Sequence, residues 1–302
     1  MDVLVTGSTG LIGSALVSAL ERAGYRPVRL VRDDHDAGDT LRWDPTAGTI
    51  DAAGLDGLDA VVHLAGAGIG DKKWTDERKR EIRESRTRGT ALLAETLAGL
   101  SKRPSVLVSA SAVGYYGPRG DEPLTEESPP GDDFLARVCV DWEAAAAPAE
   151  AAGIRLVRIR SGVVLAAEGG VLKRMLFPFK VGLGGRIGTG DQYMSWISID
   201  DEVGAILHLL SHGDLAGPFN LTAPAPVTNG EYTKTLGRVV RRPTAVPTPI
   251  RPLKMLYGME LVHHLLLTGQ RVLPAQLDAS GYRFGHPTLE QALRAVLGKP
   301  AA

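Results

Sequence analysis

The sequence predicts an α/β fold: a doubly wound parallel sheet followed by a smaller, mostly helical lobe. Two observations support this prediction. In the first half of the chain, short runs rich in β-branched residues alternate with helical patterns, as is typical of parallel strands joined by helices. In the second half, glycine and proline breaks separate patterns that are helical beyond residue 223. We therefore expect two regions that enclose a cleft at the carboxyl ends of the strands.

Apolar periodicity places the individual elements. Strands are predicted at 3–5, 27–31, 60–64, 105–109, 155–159 and 218–221. Helices are predicted at 11–23, 75–100, 133–152, 229–241, 250–267 and 288–297, with a further helix that Asp200 caps and that runs to 211. The five glycines of 182–190 indicate a loop. This order assigns 1–165 and the returning segment 199–222 to the sheet domain, and 166–198 and 223–302 to the lobe.

Composition excludes several classes of protein. The 302 residues carry 34 basic and 35 acidic side chains, so the net charge of −1 predicts neither nucleic acid nor a membrane as a partner. Cys139 is the single cysteine, which excludes internal disulfides and a cysteine-rich metal site. The chain opens directly into a strand without a leader, and no apolar run approaches the roughly 20 residues needed to span a bilayer. We expect a soluble protein of the cytoplasm.

The most informative stretch is Thr6-Gly7-Ser8-Thr9-Gly10-Leu11-Ile12-Gly13, which ends the first strand and opens the first helix. Gly7 permits a tight turn, Gly10 removes the Cβ where a pyrophosphate would approach, and Gly13 lets the helix pack closely on the strand. The free N–H groups of the helix start would then face the phosphates. We predict a Rossmann-type dinucleotide site with contacts from Gly7, Thr9, Gly10, Leu11, Ile12 and Gly13.

The residues that follow the second strand bear on the choice of cofactor. Arg32 is the first residue past that strand, where an arginine accommodates the 2′-phosphate of NADP and an acid favours NAD. Asp33 is a rival, because it lies about 20 residues beyond the glycines. The alternative for Arg32 is a surface arginine paired with Asp33 or Asp34. We favour Arg32 and NADP(H).

The Gly-x-x-Gly-x-x-Gly spacing resembles that of the extended short-chain dehydrogenases/reductases. Further motifs resemble the atypical "epimerase family" of that superfamily, which is NAD-dependent epimerase/dehydratase-like and has a C-terminal domain of unknown function. These motifs are Trp43-Asp44-Pro45, Ser85-Arg86, Asp133-Phe134-Leu135, Trp142-Glu143, Arg160-Ser161-Gly162-Val163-Val164-Leu165, Gly182-Leu183-Gly184-Gly185, Gly188-x-Gly190-x-Gln192, Trp196-Ile197-x-Ile199-x-Asp201 and Gly269-Gln270-Arg271-Val272-Leu273-Pro274. The resemblance implies NADP(H) binding without an established substrate. By position it adds Arg32, Leu64, Ala65, Glu81, Arg86 and Val163 to the cofactor site.

The resemblance also exposes a departure from the superfamily's chemistry. In that superfamily the acid/base is a tyrosine, and a lysine four residues later lowers the pKa of this tyrosine. A serine on the preceding strand orients the substrate oxygen. Here Leu135 and Cys139 take the positions of the pair, and no tyrosine in the chain has a lysine four residues on. Ser109 is retained as the candidate serine. Tyr116 is the best candidate for a relocated acid/base, with Tyr115 second.

Two functions stay open at this stage. The first is an NADP(H)-dependent oxidoreductase or epimerase-like enzyme with a relocated acid/base; the second is a non-catalytic NADP(H)-binding sensor or scaffold. Arg86 is either a contact to cofactor or substrate or one more charge on a basic helix, and Trp196 either lines the pocket or packs the lobe. Gln270 and Arg271 are either a substrate clamp or a contact between lobe and domain. The substrate and the oligomeric state, with a homodimer possible, do not follow from the sequence.

Overall fold

The structure is a computed structural model that describes residues 1–32 and 39–300. Its strands are β1 (Asp2–Thr6), β2 (Arg26–Val31), β3 (Thr40–Asp44), β4 (Thr49–Ile50), β5 (Ala60–His63), β6 (Val106–Ala112), β7 (Pro123–Leu124), β8 (Arg155–Ser161), β9 (Val163–Leu165), β10 (Tyr193–Met194), β11 (Trp196–Ser198), β12 (Gly217–Leu221), β13 (Val227–Thr228) and β14 (Arg271–Val272). Its helices are α1 (Leu11–Arg22), α2 (Ala52–Leu55), α3 (Asp76–Gly99), α4 (Phe134–Ala144), α5 (Ala147–Ala151), α6 (Gly170–Lys180), α7 (Ile199–Ser211), α8 (Asn229–Val240), α9 (Ile250–Tyr257), α10 (Met259–Val262), α11 (Ala275–Ala279) and α12 (Leu289–Val296). A 3₁₀ turn (Val113–Tyr116) follows β6, and a π-helical turn (His263–Leu267) follows α10.

The central sheet of the described residues has eight strands in the order β12-β8-β6-β5-β1-β2-β3-β4. The strands pair in parallel, except that β3 and β4 form a short antiparallel pair. The strand order reverses beside β1, which lies between β2 and β5. In open α/β sheets, ligands bind outside the carboxyl ends of the strands at such a reversal. The predicted fold class is therefore confirmed, and the glycine turn after β1 lies at this point.

Side chains alternate between the two faces of the sheet along each strand, and both faces are apolar. Helices therefore cover both of them. Val3 and Val5 of β1 pack in a core shared with α1 and α7 on one face. Leu4 points to the opposite face and packs in a core shared with α3 and α5. Leu277 of α11 also belongs to the first core. Along the sequence, the chain thus returns to the sheet domain after most elements of the lobe and before α12.

The lobe has a core of its own, built from α6, α8, α12 and the parallel pair β9 and β11. Trp196 lies at its centre, fully buried, and its indole Nε1 donates to the carbonyl of Ala225 at 3.0 Å. The open question about Trp196 is thereby answered in favour of packing, because its ring has no exposed surface with which to line a pocket.

Three helix boundaries differ from the prediction. Ser198 caps α7, because its hydroxyl accepts from the N–H of Asp201, while Asp200 already lies inside the helix. The helix predicted over 133–152 is two helices, with Pro148 in the first turn of the second. The helix predicted over 250–267 is broken at Gly258, whose φ of +88° is incompatible with a right-handed helix.

Two kinds of feature do not occur in the part of the chain that the structure describes. None of its helices is both long and apolar enough to traverse a bilayer. No three histidine, cysteine or acidic side chains in 1–32 and 39–300 come together as a metal-binding group.

Candidate functional site

The glycine turn joins β1 to α1 and depends on the absence of two Cβ atoms. Gly7 has a φ of +64°, and a Cβ there would lie 2.9 Å from the carbonyl carbon of Leu64. A Cβ at Gly13 would lie 2.1 Å from the carbonyl oxygen of Gly7, so the first turn of α1 can pack on the loop only with glycine at this position. The turn therefore brings the helix start to the reversal point of the sheet.

The N-terminus of α1 is open for an anion. Gly10 is the N-cap residue, and no side chain among the described residues caps the first N–H groups of the helix. Thr9 and Gly10 are exposed, whereas Gly13 is buried beneath them and Ile12 is half-buried. On the lobe side, the Leu11 side chain meets the start of α6, where a Cβ on Gly169 would lie 2.9 Å from a Leu11 methyl carbon. The helix dipole and free N–H groups thus face the cleft between sheet and lobe.

A buried hydrogen-bond network ties the ends of β1 and β5 together. The Thr6 hydroxyl oxygen accepts from the N–H groups of Leu64 and Ala65 at 3.0 and 3.1 Å, so its proton is donated to His63 Nδ1, 2.7 Å away. His63 Nε2 then donates to the hydroxyl of Thr90 at 2.9 Å. Burial lowers the pKa of His63 to about 4, which keeps the ring neutral. His63 is thus a packing residue that positions Leu64 and Ala65.

Arg86 crosses from α3 to the loop that follows β5. Its Nη1 donates to the carbonyl of Ala67 at 2.9 Å, and its guanidinium lies over the Trp142 ring at 4.9 Å. Burial lowers the pKa of Arg86, and no carboxylate among the described residues pairs with it. Arg86 is half-buried, and the carbonyl of Ile82 also accepts from its Nη1 at 3.0 Å. It is therefore not simply a solvated charge on the surface of α3, and an anion bound beside it would balance its charge.

The remaining residues of the predicted cofactor set lie around the same edge of the sheet. Arg32 follows β2 and is exposed, whereas Asp33 and Asp34 lie outside the described residues. Val163, in β9, is half-buried and donates its N–H to the carbonyl of Ser195 at 2.8 Å. Glu81 is exposed on α3 and accepts from Arg78 at 2.6 Å, which lowers the pKa of its carboxyl. The structure thus spreads these positions along the carboxyl edge of the sheet.

Leu135 and Cys139, which the sequence aligns with the superfamily's acid/base pair, face the turn after β6. A Cβ on Gly114 would lie 3.5 Å from Leu135 Cβ and 3.7 Å from Cys139 Sγ. Ser109 is buried, and its hydroxyl has no hydrogen-bond partner among the described residues. Ser111 donates to Glu143 at 2.7 Å. Leu135 and Cys139 thus lie together beside Gly114, and neither is a hydrogen-bond partner of Ser109.

Tyr116 does not have the surroundings that a relocated acid/base needs. Its side chain is fully buried, and its hydroxyl lies 2.7 Å from Asn220 Oδ1 and 3.0 Å from Arg160 Nη1 rather than beside Ser109 or the cleft. Burial raises the pKa of Tyr116 to about 12. The expectation of a catalytic role for Tyr116 is therefore corrected, because the hydroxyl is already occupied and cannot reach a substrate.

Arg160, which contacts the Tyr116 hydroxyl, forms a buried ion pair with Glu143 that the sequence did not predict. Arg160 Nε and Nη2 donate to the two Glu143 oxygens at 2.8 and 2.9 Å, and the guanidinium stacks on the Tyr115 ring at 3.5 Å. This pair joins β8 to α4 and to the turn after β6. An arginine in a mostly buried strand could have indicated a buried ion pair. Its partner Glu143 lies 17 residues away, however, and only the fold brings the two side chains together.

Glu202 is a second missed group at this edge of the sheet. It is fully buried in α7, and Ser161, the last residue of β8, donates to its Oε1 at 2.5 Å. Burial raises the pKa of Glu202 to about 8, so the carboxyl keeps its proton at neutral pH. In the sequence it is indistinguishable from an ordinary acid in the first turn of a helix.

Gln270 and Arg271 connect the lobe to the loop after β6. The carbonyl of Gln270 accepts from Ser195 at 2.8 Å, and the Arg271 guanidinium lies over the Tyr193 ring at 5.3 Å. Arg271 also pairs with Pro123 in the register of β14 and β7. The contacts of these two residues are those of a junction within the fold.

Cys139 provides a first prediction. Burial raises the pKa of its thiol to about 12, so the thiolate that reacts with alkylating reagents is scarce at pH 7. We expect iodoacetamide to label the folded protein at least about 100-fold more slowly than the urea-unfolded protein. Mass spectrometry of the single cysteine over time measures this ratio. Equal rates would show that the helix face around Cys139 opens readily to solvent.

Comparison with known proteins agrees with this geometry. The model of the NAD dependent epimerase/dehydratase family matches residues 3–222, and that of a domain of unknown function, DUF1731, matches residues 248–296. An epimerase family protein of Mycobacterium bovis is 43% identical over 298 residues, which cover 99% of this chain and 98% of that protein. The human epimerase family protein SDR39U1 is 38% identical over 301 residues, or 98% of this chain and 100% of that protein.

Solved structures show the same likeness. The crystal structure of human SDR39U1 (isoform 2) with NADPH has a TM-score of 0.90 and 35% identity, and the match covers 99% of each chain. A nucleoside-diphosphate sugar epimerase from Corynebacterium glutamicum has a TM-score of 0.82 and 38% identity, over 99% of this chain and 58% of that one. The chain therefore belongs to the NAD-dependent epimerase/dehydratase family and carries the DUF1731 domain in its C-terminal part.

Proposed function

We propose that this chain binds NADP(H) at the glycine turn and is an atypical short-chain dehydrogenase, an epimerase- or dehydratase-like oxidoreductase that works without the Tyr-x-x-x-Lys pair. The observation that carries the proposal is the uncapped N-terminus of α1, which the turn at Gly7 and the bare Cα of Gly10 leave open toward the cleft. The NADPH bound in the crystal structure of human SDR39U1 supports the choice of cofactor.

The residues at the carboxyl edge of the sheet suit a dinucleotide. In this proposal the first N–H groups of α1 bind the pyrophosphate, and the backbone at Leu64 and Ala65 passes beneath the adenosine. Arg86, which has no carboxylate partner among the described residues, supplies a positive charge to the bound dinucleotide. When bound, NADPH supplies a hydride to a substrate carbon. We place the nucleotide in the sheet domain, residues 1–165 with 199–222, and the substrate against the lobe, residues 166–198 and 223–302.

The side chain of Arg32 should set the choice between the two dinucleotides. It follows β2 directly and is exposed, so its guanidinium is free to reach a 2′-phosphate. We expect NADPH to bind at least about tenfold more tightly than NADH, or about 1.4 kcal/mol, and Arg32→Ala to remove this preference. Calorimetric titration of both dinucleotides measures it. Arg22→Ala, an equally basic site on the far end of α1, is the control. A preference that survives Arg32→Ala would assign it to another residue.

A second candidate function is favoured by the pair Leu135 and Cys139 at the turn after β6, because neither side chain can exchange a proton at neutral pH. In this alternative the protein is a sensor or scaffold whose NADP(H)-bound form is recognised by a partner. Turnover separates the two candidates. Oxidation of NADPH by carbonyl compounds, or reduction of NADP+ by the alcohol groups of nucleotide sugars, changes the NADPH absorbance at about 340 nm and supports the enzyme. Tight binding with neither oxidation of NADPH nor reduction of NADP+ supports the sensor.

A further inference from the structure

The lobe presents a surface of unusual composition, which we call the basic face and define as segments 170–190 and 241–260. Of ten large apolar side chains that are exposed among the described residues, eight lie in these two segments, with 40–77% of their surface accessible. They are Val171, Phe177, Val181, Leu183, Val246, Met255, Leu256 and Met259. None of the α9 residues is buried. Exposed apolar surface concentrated in this way indicates a binding face.

The same two segments carry a strong charge imbalance. They contain eight basic side chains against the single acid Glu260, although the whole chain has a net charge of −1. Glu260 is already paired with Lys79 at 2.5 Å. Among the described residues, only Arg174 of the eight bases forms an ion pair, with Asp71 at 2.6 Å. The eight are Lys173, Arg174, Lys180, Arg186, Arg241, Arg242, Arg251 and Lys254. The charge of the other seven is thus available to an anionic surface.

Hydrogen bonds join the two segments. Arg242 Nε donates to the carbonyl of Lys180 at 2.8 Å, and the Thr248 hydroxyl donates to the carbonyl of Gly185 at 2.9 Å. The Ile250 side chain, at the start of α9, is within reach of Gly188, where a Cβ would lie 3.9 Å from its terminal carbon. The apolar and basic side chains therefore belong to one part of the lobe, although 50 or more residues separate them in the sequence.

We propose that the basic face docks this protein on an anionic lipid bilayer as a peripheral protein. Apolar side chains such as Phe177 and Leu256 enter the headgroup region, and the surrounding lysines and arginines bind lipid phosphates. A second copy fits less well, because a two-fold contact would set the same eight bases against each other. The total charge predicted no membrane partner, but lipid responds to the local distribution of charge and apolar surface, which only the fold reveals.

Sedimentation with vesicles tests the proposal. The full chain is mixed with vesicles of phosphatidylcholine alone or of phosphatidylcholine and phosphatidylglycerol in equal parts. We expect binding to the anionic vesicles only, and a decrease as salt is raised. Leu183→Ser combined with Leu256→Ser, and separately Arg251→Gln combined with Lys254→Gln, should each lower the vesicle-binding constant at least about tenfold.

Matched variants elsewhere serve as controls. Val140→Ser removes an exposed apolar side chain from α4, and Lys102→Gln removes an exposed base from the loop before β6; both should bind vesicles like the parent chain. Thermal unfolding shows that each variant is folded. Failure of the folded parent chain to sediment overturns the proposal, as does equal binding to uncharged vesicles. A dimer in solution that Leu256→Ser dissociates also overturns it, since the face then binds a second copy.

Discussion

Gly10→Val is expected to abolish dinucleotide binding while the fold stays intact. Gly10 has a φ of −77° and a ψ of 174°, a conformation that valine adopts readily, and the nearest atom to its Cβ would be the Gly7 oxygen at 3.2 Å. The two methyl groups would instead cover the open N-terminus of α1. We expect the Kd for NADPH to rise at least about 100-fold, or about 2.7 kcal/mol, in a calorimetric titration.

Two other glycines distinguish a lost site from a lost fold. Gly13→Ala places a Cβ 2.1 Å from the Gly7 oxygen, so this variant should unfold at a lower temperature than Gly10→Val. Gly213→Val meets no atom within 4 Å and should change neither binding nor stability. If Gly10→Val binds NADPH like the parent chain, the nucleotide lies elsewhere and the proposed function loses its main support.

The largest loss of stability is expected from Glu143→Gln. The Glu143 carboxylate accepts from Arg160 twice and from Ser111 once, and the Arg160 side chain is only 4% exposed. Glutamine has the same shape but leaves the buried guanidinium without its counter-charge. Breaking a buried pair in this way costs about 3–5 kcal/mol. We expect the Tm to fall by roughly 10 °C in a thermal unfolding experiment.

A more exposed ion pair between the same strand, β8, and α5 provides the control. Glu150 pairs with Arg158 at 2.6 Å; the side chains are 53% and 19% exposed, respectively. Because water still reaches Arg158 when the pair is broken, Glu150→Gln should cost less than about 1 kcal/mol. Equal small losses in the two variants would mean that another acid neutralises Arg160, for example Glu126, whose carboxyl pKa burial raises and Arg160 lowers.

How far the sequence predicts this protein depends on the range of the interactions. The turn from β1 to α1 was predicted correctly because its determinants are local: glycines at 7, 10 and 13 and an apolar strand before them. Gly258, by contrast, breaks a helical pattern that its neighbours continue, and apolar periodicity alone does not show that its φ is positive.

At the candidate site, distant contacts decided what the sequence could not. Tyr116 looked available for chemistry because it follows the strand that carries Ser109, yet Asn220, 104 residues away, accepts its proton. For Arg86 the sequence left a cofactor contact and a charge of the helix surface both open, and the structure shows that it is half-buried, with its guanidinium bound to the carbonyl of Ala67 in the loop after β5.

The sequence by itself determined the family, the parallel sheet and the location of the glycine turn, because these follow from local periodicity, from backbone freedom and from motifs in a set order. Only the tertiary structure decided which polar side chains are buried, paired or left open to the cleft, and how the apolar and basic side chains of the lobe come together. Burial and pairing govern the pKa and the availability of a group, and both arise from contacts between residues that the chain order keeps far apart.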